Sequence, residues 1–157
     1  DYLQKEIGIK VYFGPKEFTL KGKSFFIGHG DGLGPNDNGY KRMKKLFKNR
    51  FLQVCFRWLH PDIGMRLGHY LSVKNKLISG KEDVVFLGEE NEWLAQYARR
   101  KNEEKQRDYY VFGHRHIPME ISISPQSKYI NLGDWITHYT YAEFDGKTLA
   151  LKPWKKE

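Results

Sequence analysis

A chain of 157 residues is long enough for one domain with a real core and too short for two ordinary ones. An aromatic content of 15% and the lack of low-complexity tracts exclude a disordered polymer, and a single cysteine, Cys55, excludes an internal disulfide framework and a four-thiolate zinc site and fits a reducing compartment. The formal charge of +8 leaves phosphate-bearing substrates, nucleic acid and anionic membrane surfaces open as partners, while no apolar run approaches the roughly 18 residues of a spanning helix.

Residues 1–8 read as a short helix ending at Gly8, and Ile9 to Phe13 as an extended apolar segment. No signal peptide is visible; the chain opens on Asp1 instead of Met, which is expected if residues are missing ahead of it. Glu17 to Leu20 and Ser24 to His29 flank Lys21-Gly22-Lys23 as the arms of a β-hairpin. The second arm runs into a loop with four glycines between Gly30 and Gly39, too rich in glycine for a regular element.

From Tyr40 the period becomes helical. Met43, Leu46, Phe47, Phe51, Val54, Cys55, Trp58 and Leu59 recur at three- and four-residue steps, with Lys and Arg between them and no acid before Asp62. Pro61 suits the first turn of a second helix, broken at Ser79-Gly80-Lys81. Glu89 to Gln106 reads as a third, with Trp93, Leu94, Tyr97 and Ala98 as its apolar stripe. Strands follow at 108–112, 119–124, 128–132, 140–144 and 148–152, the last two joined by the hairpin signal Asp145-Gly146. This order predicts a mixed α/β layered fold.

Two segments carry chemistry. One strand ends in Gly28-His29-Gly30-Asp31 and another in Gly113-His114-Arg115-His116. Strand ends hold side chains in place, and glycine beside them lets backbone or ligand come close. Imidazole is a common metal ligand, and His114 and His116 are spaced to reach two neighbouring metals from one turn; Mn²⁺, Fe and Zn²⁺ all suit such donors.

VFGHRH resembles the GHxH signature of the calcineurin-like metallophosphoesterases, and IGHGD resembles their upstream GH motif. HGDGLGPNDNGYK is similar to the extended loop of the branch that hydrolyses UDP-2,3-diacylglucosamine in lipid A synthesis, with Asp37 and Tyr40 at matching spacing and a basic helical insertion after them. The resemblance covers nearly the whole chain but only the second half of the family fold. No Asp-x-His or Asn-His is present, so the family's first motifs have no counterpart, and residues 1–157 are expected to be one partial domain with a lid insertion at about 38–79.

The resemblance implies the second half of a four-layer α/β/β/α sandwich. It implies that His29 and His114 bind one divalent metal and His116 the other, Mn²⁺ being the favoured ion, and that His114 is also catalytic. The metals would activate a water that attacks the diphosphate, giving UMP and 2,3-diacylglucosamine 1-phosphate (lipid X), in a cytoplasmic enzyme peripheral to the inner membrane. The bridging Asp is absent, so this chain alone is expected to be inactive, and to need the missing half or to self-associate.

The basic stretch Lys41 to Leu59 has two readings: a surface helix with its stripe on the core, or a lid whose Phe47, Phe51, Trp58 and Leu59 line an acyl groove while its lysines face an anionic membrane. Asp37, Tyr40, Lys74 and Lys76 are candidate contacts of the substrate phosphates or sugar; Asp31 by default shapes its turn. His60 and His69 read as packing or surface residues, and His138 is ambiguous. No recognised nucleic-acid module accompanies the basic helix. The rival readings are another phosphoesterase of the family and a non-catalytic basic binding module.

Overall fold

The computed structural model describes residues 2–34, 38–79, 86 and 88–154, the side chains of 38–41 and 74–79 excepted. Its centre is a five-stranded sheet of order β1-β2-β3-β5-β4. β1 (Lys16–Leu20) and β2 (Lys23–Ile27) form the expected hairpin, whose Lys21 and Gly22 both take positive φ (46° and 80°), as a tight turn matched to strand twist requires. β2 pairs in parallel with β3 (Tyr109–Phe112), and β3 in parallel with β5 (Ser127–Leu132). β4 (Pro118–Ser124) closes the far edge antiparallel to β5. A strand flanked on both sides in parallel is covered on both faces, and all four residues of β3 are buried accordingly.

Alternation divides those residues between two apolar clusters. Phe26, Tyr110, Phe112 and Tyr129 face helix α5 (Trp93–Glu104) and its Leu94, Ala95 and Ala98. Phe25, Tyr109, Val111 and Ile130 face the other way, onto Phe144 and Leu149 of a two-stranded sheet made by β6 (Thr140–Phe144) and β7 (Leu149–Pro153). The layers are helix, sheet, sheet, so the predicted mixed α/β architecture is present.

α1 (Tyr2–Lys5) is the expected short helix, a single turn, and Ile9 to Phe13 joins no strand among the described residues. Two elements differ from expectation. The helix predicted through Leu59 is two: α2 (Asn38–Phe47) stops, and Asn49 caps α3 (Arg50–Arg57) by accepting from the amides of Phe51 at 2.9 Å and Leu52 at 3.3 Å. The third helix starts at Trp93 and not at Glu89: the Asn91 amide donates to Gly88 O at 3.0 Å, so a turn opening on Gly88 at φ +89° takes up the expected first residues. α4 (Pro61–Ser79) opens on its proline as predicted; the break at Gly80-Lys81 lies outside the described residues.

Asp108 staples the start of β3 to β2. Its carboxylate accepts from Lys23 Nζ at 2.7 Å, Ser24 Oγ at 2.7 Å and the Ser24 amide at 2.9 Å. Partial burial pushes its pKa up, but Lys23 and the Ser24 donors outweigh that and hold it at about 2. Folding therefore favours the ionised form: the stabilisation is complete above the unfolded value of about 3.9 and disappears as pH falls through about 2. Asp108→Asn should cost roughly 1–2 kcal/mol at pH 7, a figure reduced for partial exposure, and should flatten the acid loss of stability between about pH 4 and 2. Urea unfolding at several pH values checks both.

Candidate functional site

Parallel pairing brings the ends of β2 and β3 to one edge of the sheet, and the hydrogen-bonding pattern continues past them. The Gly28 amide donates to Val111 O at 3.1 Å, and the Gly113 amide donates to His29 O at 3.0 Å. The rings of His29 and His114, 85 positions apart in sequence, stand edge to face with centroids 5.3 Å apart. Two imidazoles at that separation fall within reach of one ion. Trp93, the first residue of α5, also stands edge to face with His114, its ring centroid 5.8 Å away. Gly30 at φ +110° is required here: a Cβ would lie 3.0 Å from Leu94 and 3.3 Å from the Cβ of His114.

The turn carrying the second histidine is strained. The Arg115 amide donates back to Gly113 O at 2.8 Å across His114, whose φ is +70°, so Gly113, His114 and Arg115 form a three-residue γ-turn of the disfavoured sign. His116 is also left-handed, at φ +54°. Non-glycine residues persist in such conformations only where their surroundings impose them. Two buried groups do so. Asn131 Nδ2 donates to Gly113 O at 2.7 Å, and Arg115 is held by Glu92 through two bonds, Nε to Oε2 at 3.0 Å and Nη2 to Oε1 at 2.9 Å. Glu92 is 0% exposed and Arg115 2%.

His29, His114 and His116 line one cavity of about 740 Å³, together with Asp134, Trp135 and Thr140. Asp134 closes its own turn: the amides of Thr137, Ile136 and His138 donate to it and hold its carboxyl well below the usual range, and His138 Nδ1 lies 3.1 Å from it. His138 is thus paired to a turn carboxylate, while His60 and His69 are exposed on the helical segment. Asp31 does more than shape its turn, since Lys44 of α2 pairs with it at 2.5 Å. Among the described residues no three His, Cys, Asp or Glu side chains are arranged to hold a metal ion.

The other expected contacts are not gathered there. Phe47 and Phe51 are exposed, the latter by 73%, and α3 buries none of its residues, so the apolar stripe of this stretch does not rest on the core. Asp37 lies outside the described residues, as do the side chains of Tyr40, Lys74 and Lys76. Sequence reasoning missed Glu92, Arg115 and Asn131. Only the arginine set between two histidines was a signal.

No family model matches the chain. Individual relatives do, and they are hydrolases. Each is a UDP-2,3-diacylglucosamine hydrolase: that of Porphyromonas gingivalis is 30% identical over 97% of the chain, that of Wigglesworthia glossinidia brevipalpis 28% over 87%, and that of Photorhabdus laumondii 25% over 94%. The chain spans only part of them, 63%, 54% and 61% of their respective lengths.

The strain at His114 is measurable. His114→Gly and His114→Ala lose the same ring contacts, but only glycine tolerates φ +70° at no cost. The glycine variant should be the more stable by about 1 kcal/mol, a difference that paired urea unfolding curves resolve.

Proposed function

We propose that this chain is the histidine-bearing part of a metal-dependent hydrolase, and that the whole protein cleaves the diphosphate of UDP-2,3-diacylglucosamine to UMP and 2,3-diacylglucosamine 1-phosphate (lipid X). The observation that supports this is the contact of His29 with His114 at the ends of adjacent parallel strands, in a chain similar over 97% of its length to an enzyme named for that substrate. The fold reading that goes with it is the calcineurin-like α/β/β/α sandwich, of which α5 and the two sheets would be three layers.

Two imidazoles 5.3 Å apart fit one divalent ion, though the donor set is partial. His29 and His114 would hold that ion and His116 a second, with Mn²⁺ the favoured metal and the remaining donors supplied from outside this chain. Divalent metals at such a site supply positive charge to phosphate oxygens and lower the pKa of a coordinated water. The chain's own residues do the rest. The γ-turn holds His114 at a fixed angle, with the Trp93 ring against it, and would present the imidazole to the scissile phosphate. In the reaction the oxygen of water joins one phosphorus, the bridging P–O bond breaks, and UMP leaves.

The substrate's diphosphate needs cationic partners, a role for Lys74 and Lys76, with Asp37 and Tyr40 as polar contacts. The exposed Phe47 and Phe51 would line a groove for the acyl chains. The lysines around them suit an anionic membrane, each being worth about 1 kcal/mol near such a surface, and the location that goes with this reading is the cytoplasmic face of the inner membrane.

The test is release of UMP from UDP-2,3-diacylglucosamine in Mn²⁺ buffer by the full gene product. His114→Ala should lower turnover at least about a hundredfold, since charge stabilisation present only in the transition state is lost. A near-wild-type rate in that variant would refute the assignment, and the 157-residue chain alone should be inactive.

The lid reading has its own test. Burying a phenylalanine is worth roughly 1.5–3 kcal/mol, so Phe47→Ser with Phe51→Ser should remove most activity on the diacyl substrate. Slow hydrolysis of a soluble phosphodiester and the thermal midpoint should hold. Equal loss on both substrates with a lowered midpoint would make these helices scaffold.

A further inference from the structure

We propose that Glu92 and Arg115 are positioning residues for His114: their buried ion pair sets the direction in which the imidazole faces the reacting phosphate. The catalytic consequence rests on the hydrolase reading above; the orientation of His114 does not.

The pair is built with more polar chemistry than folding needs. Glu92 occupies the N-cap position of α5, yet its side chain makes no cap bond and instead grips Arg115 through both oxygens. The fork geometry fixes the guanidinium in plane as well as in distance. Both residues are removed from water, and replacing an ion pair so buried with apolar side chains of the same volume is often neutral or stabilising. What it adds is direction. Arg115 is the last residue of the γ-turn, so anchoring its side chain anchors the C-terminal side of His114.

The N-terminal side is clamped independently. Gly113 donates its amide to His29 O, and its carbonyl accepts from both Asn131 Nδ2 and the Arg115 amide. His114 is therefore the one residue between two fixed points, held at φ +70°. Release of either point lets the backbone relax toward negative φ and swings the ring away from His29. An error of about 1 Å in a reacting group can cost a hundredfold in rate.

The experiment separates positioning from stability. The double variant Glu92→Leu with Arg115→Met removes both charges at similar volume, and its thermal midpoint should equal or exceed that of the wild type. Despite that, the His114 ring resonances in ¹H–¹⁵N spectra should shift or split, together with those of His29, while His60 and His69 stay in place. In the full gene product kcat for UMP release should fall at least about tenfold with KM within about twofold. Unchanged ring resonances and unchanged kcat in the folded double variant would overturn the proposal. If that variant does not fold, Arg115→Lys decides. It keeps the charge and loses the fork, and it should show the same ring shifts with a smaller fall in kcat; unmoved rings would overturn the proposal equally. If the wild-type gene product releases no UMP, the hydrolase reading fails, and the ring resonances alone still decide the role of the pair.

Discussion

Everything at the histidine edge depends on the parallel pairing of β2 with β3. Three residue pairs, Phe25 with Tyr109, Phe26 with Tyr110 and Ile27 with Val111, join segments more than eighty residues apart. Parallel strands cannot be joined by a tight turn; they need a crossover of a dozen residues or more. Here the crossover holds four helices among the described residues, and its length is free because the pairing fixes only its ends. A slip by one residue would exchange the faces of every side chain on the strand. Phe25 and Phe26 would trade layers, and His29 would lose its register with His114. Burial of β3 on both faces is what forbids the slip.

The sheet therefore sets the distance between the two histidines, and the polar groups beneath set their angle. These tasks fall to different chemistry. Apolar packing of Tyr110, Phe112 and Tyr129 against α5 is non-directional and tolerant of small errors in orientation. The bonds of Asn131 to Gly113 and of Glu92 to Arg115 are directional, and they lie where the backbone is least comfortable. Burial without ionisation is favoured in the same layer: it raises the pKa of the Tyr129 hydroxyl, which accepts from Asn131 at 3.1 Å.

Much of this was legible in the residues. The two hairpins, at Lys21-Gly22 and Asp145-Gly146, declared themselves through turn chemistry, and the central strands through runs of aromatic and β-branched residues. His29 and His114 stood out because each follows such a run beside glycine. The insertion of β5 between β3 and β4 was not legible, because strand order is decided by long-range burial that no local pattern records. Nor was the division of α2 from α3, since Asn49 sits in a basic stretch whose helical period runs on across it. Glu92 and Arg115 escaped notice for a related reason. Charged residues are usually solvated, and only the fold places these two, 23 positions apart, in a dry contact.

The helical crossover is fixed at both of its ends. It leaves the sheet through the loop of Asp31, which Lys44 of α2 grips, and it returns at Glu92, which Arg115 grips. The entropy of closing a loop grows only with the logarithm of its length, so what lies between two such posts can be lengthened, trimmed or exchanged at small cost to the rest. In lineages of this chain, descent can then act on two parts at different tempos. The helices between the posts can be rewritten or acquired by recombination at small cost, while a change of register at the histidine edge would part His29 from His114.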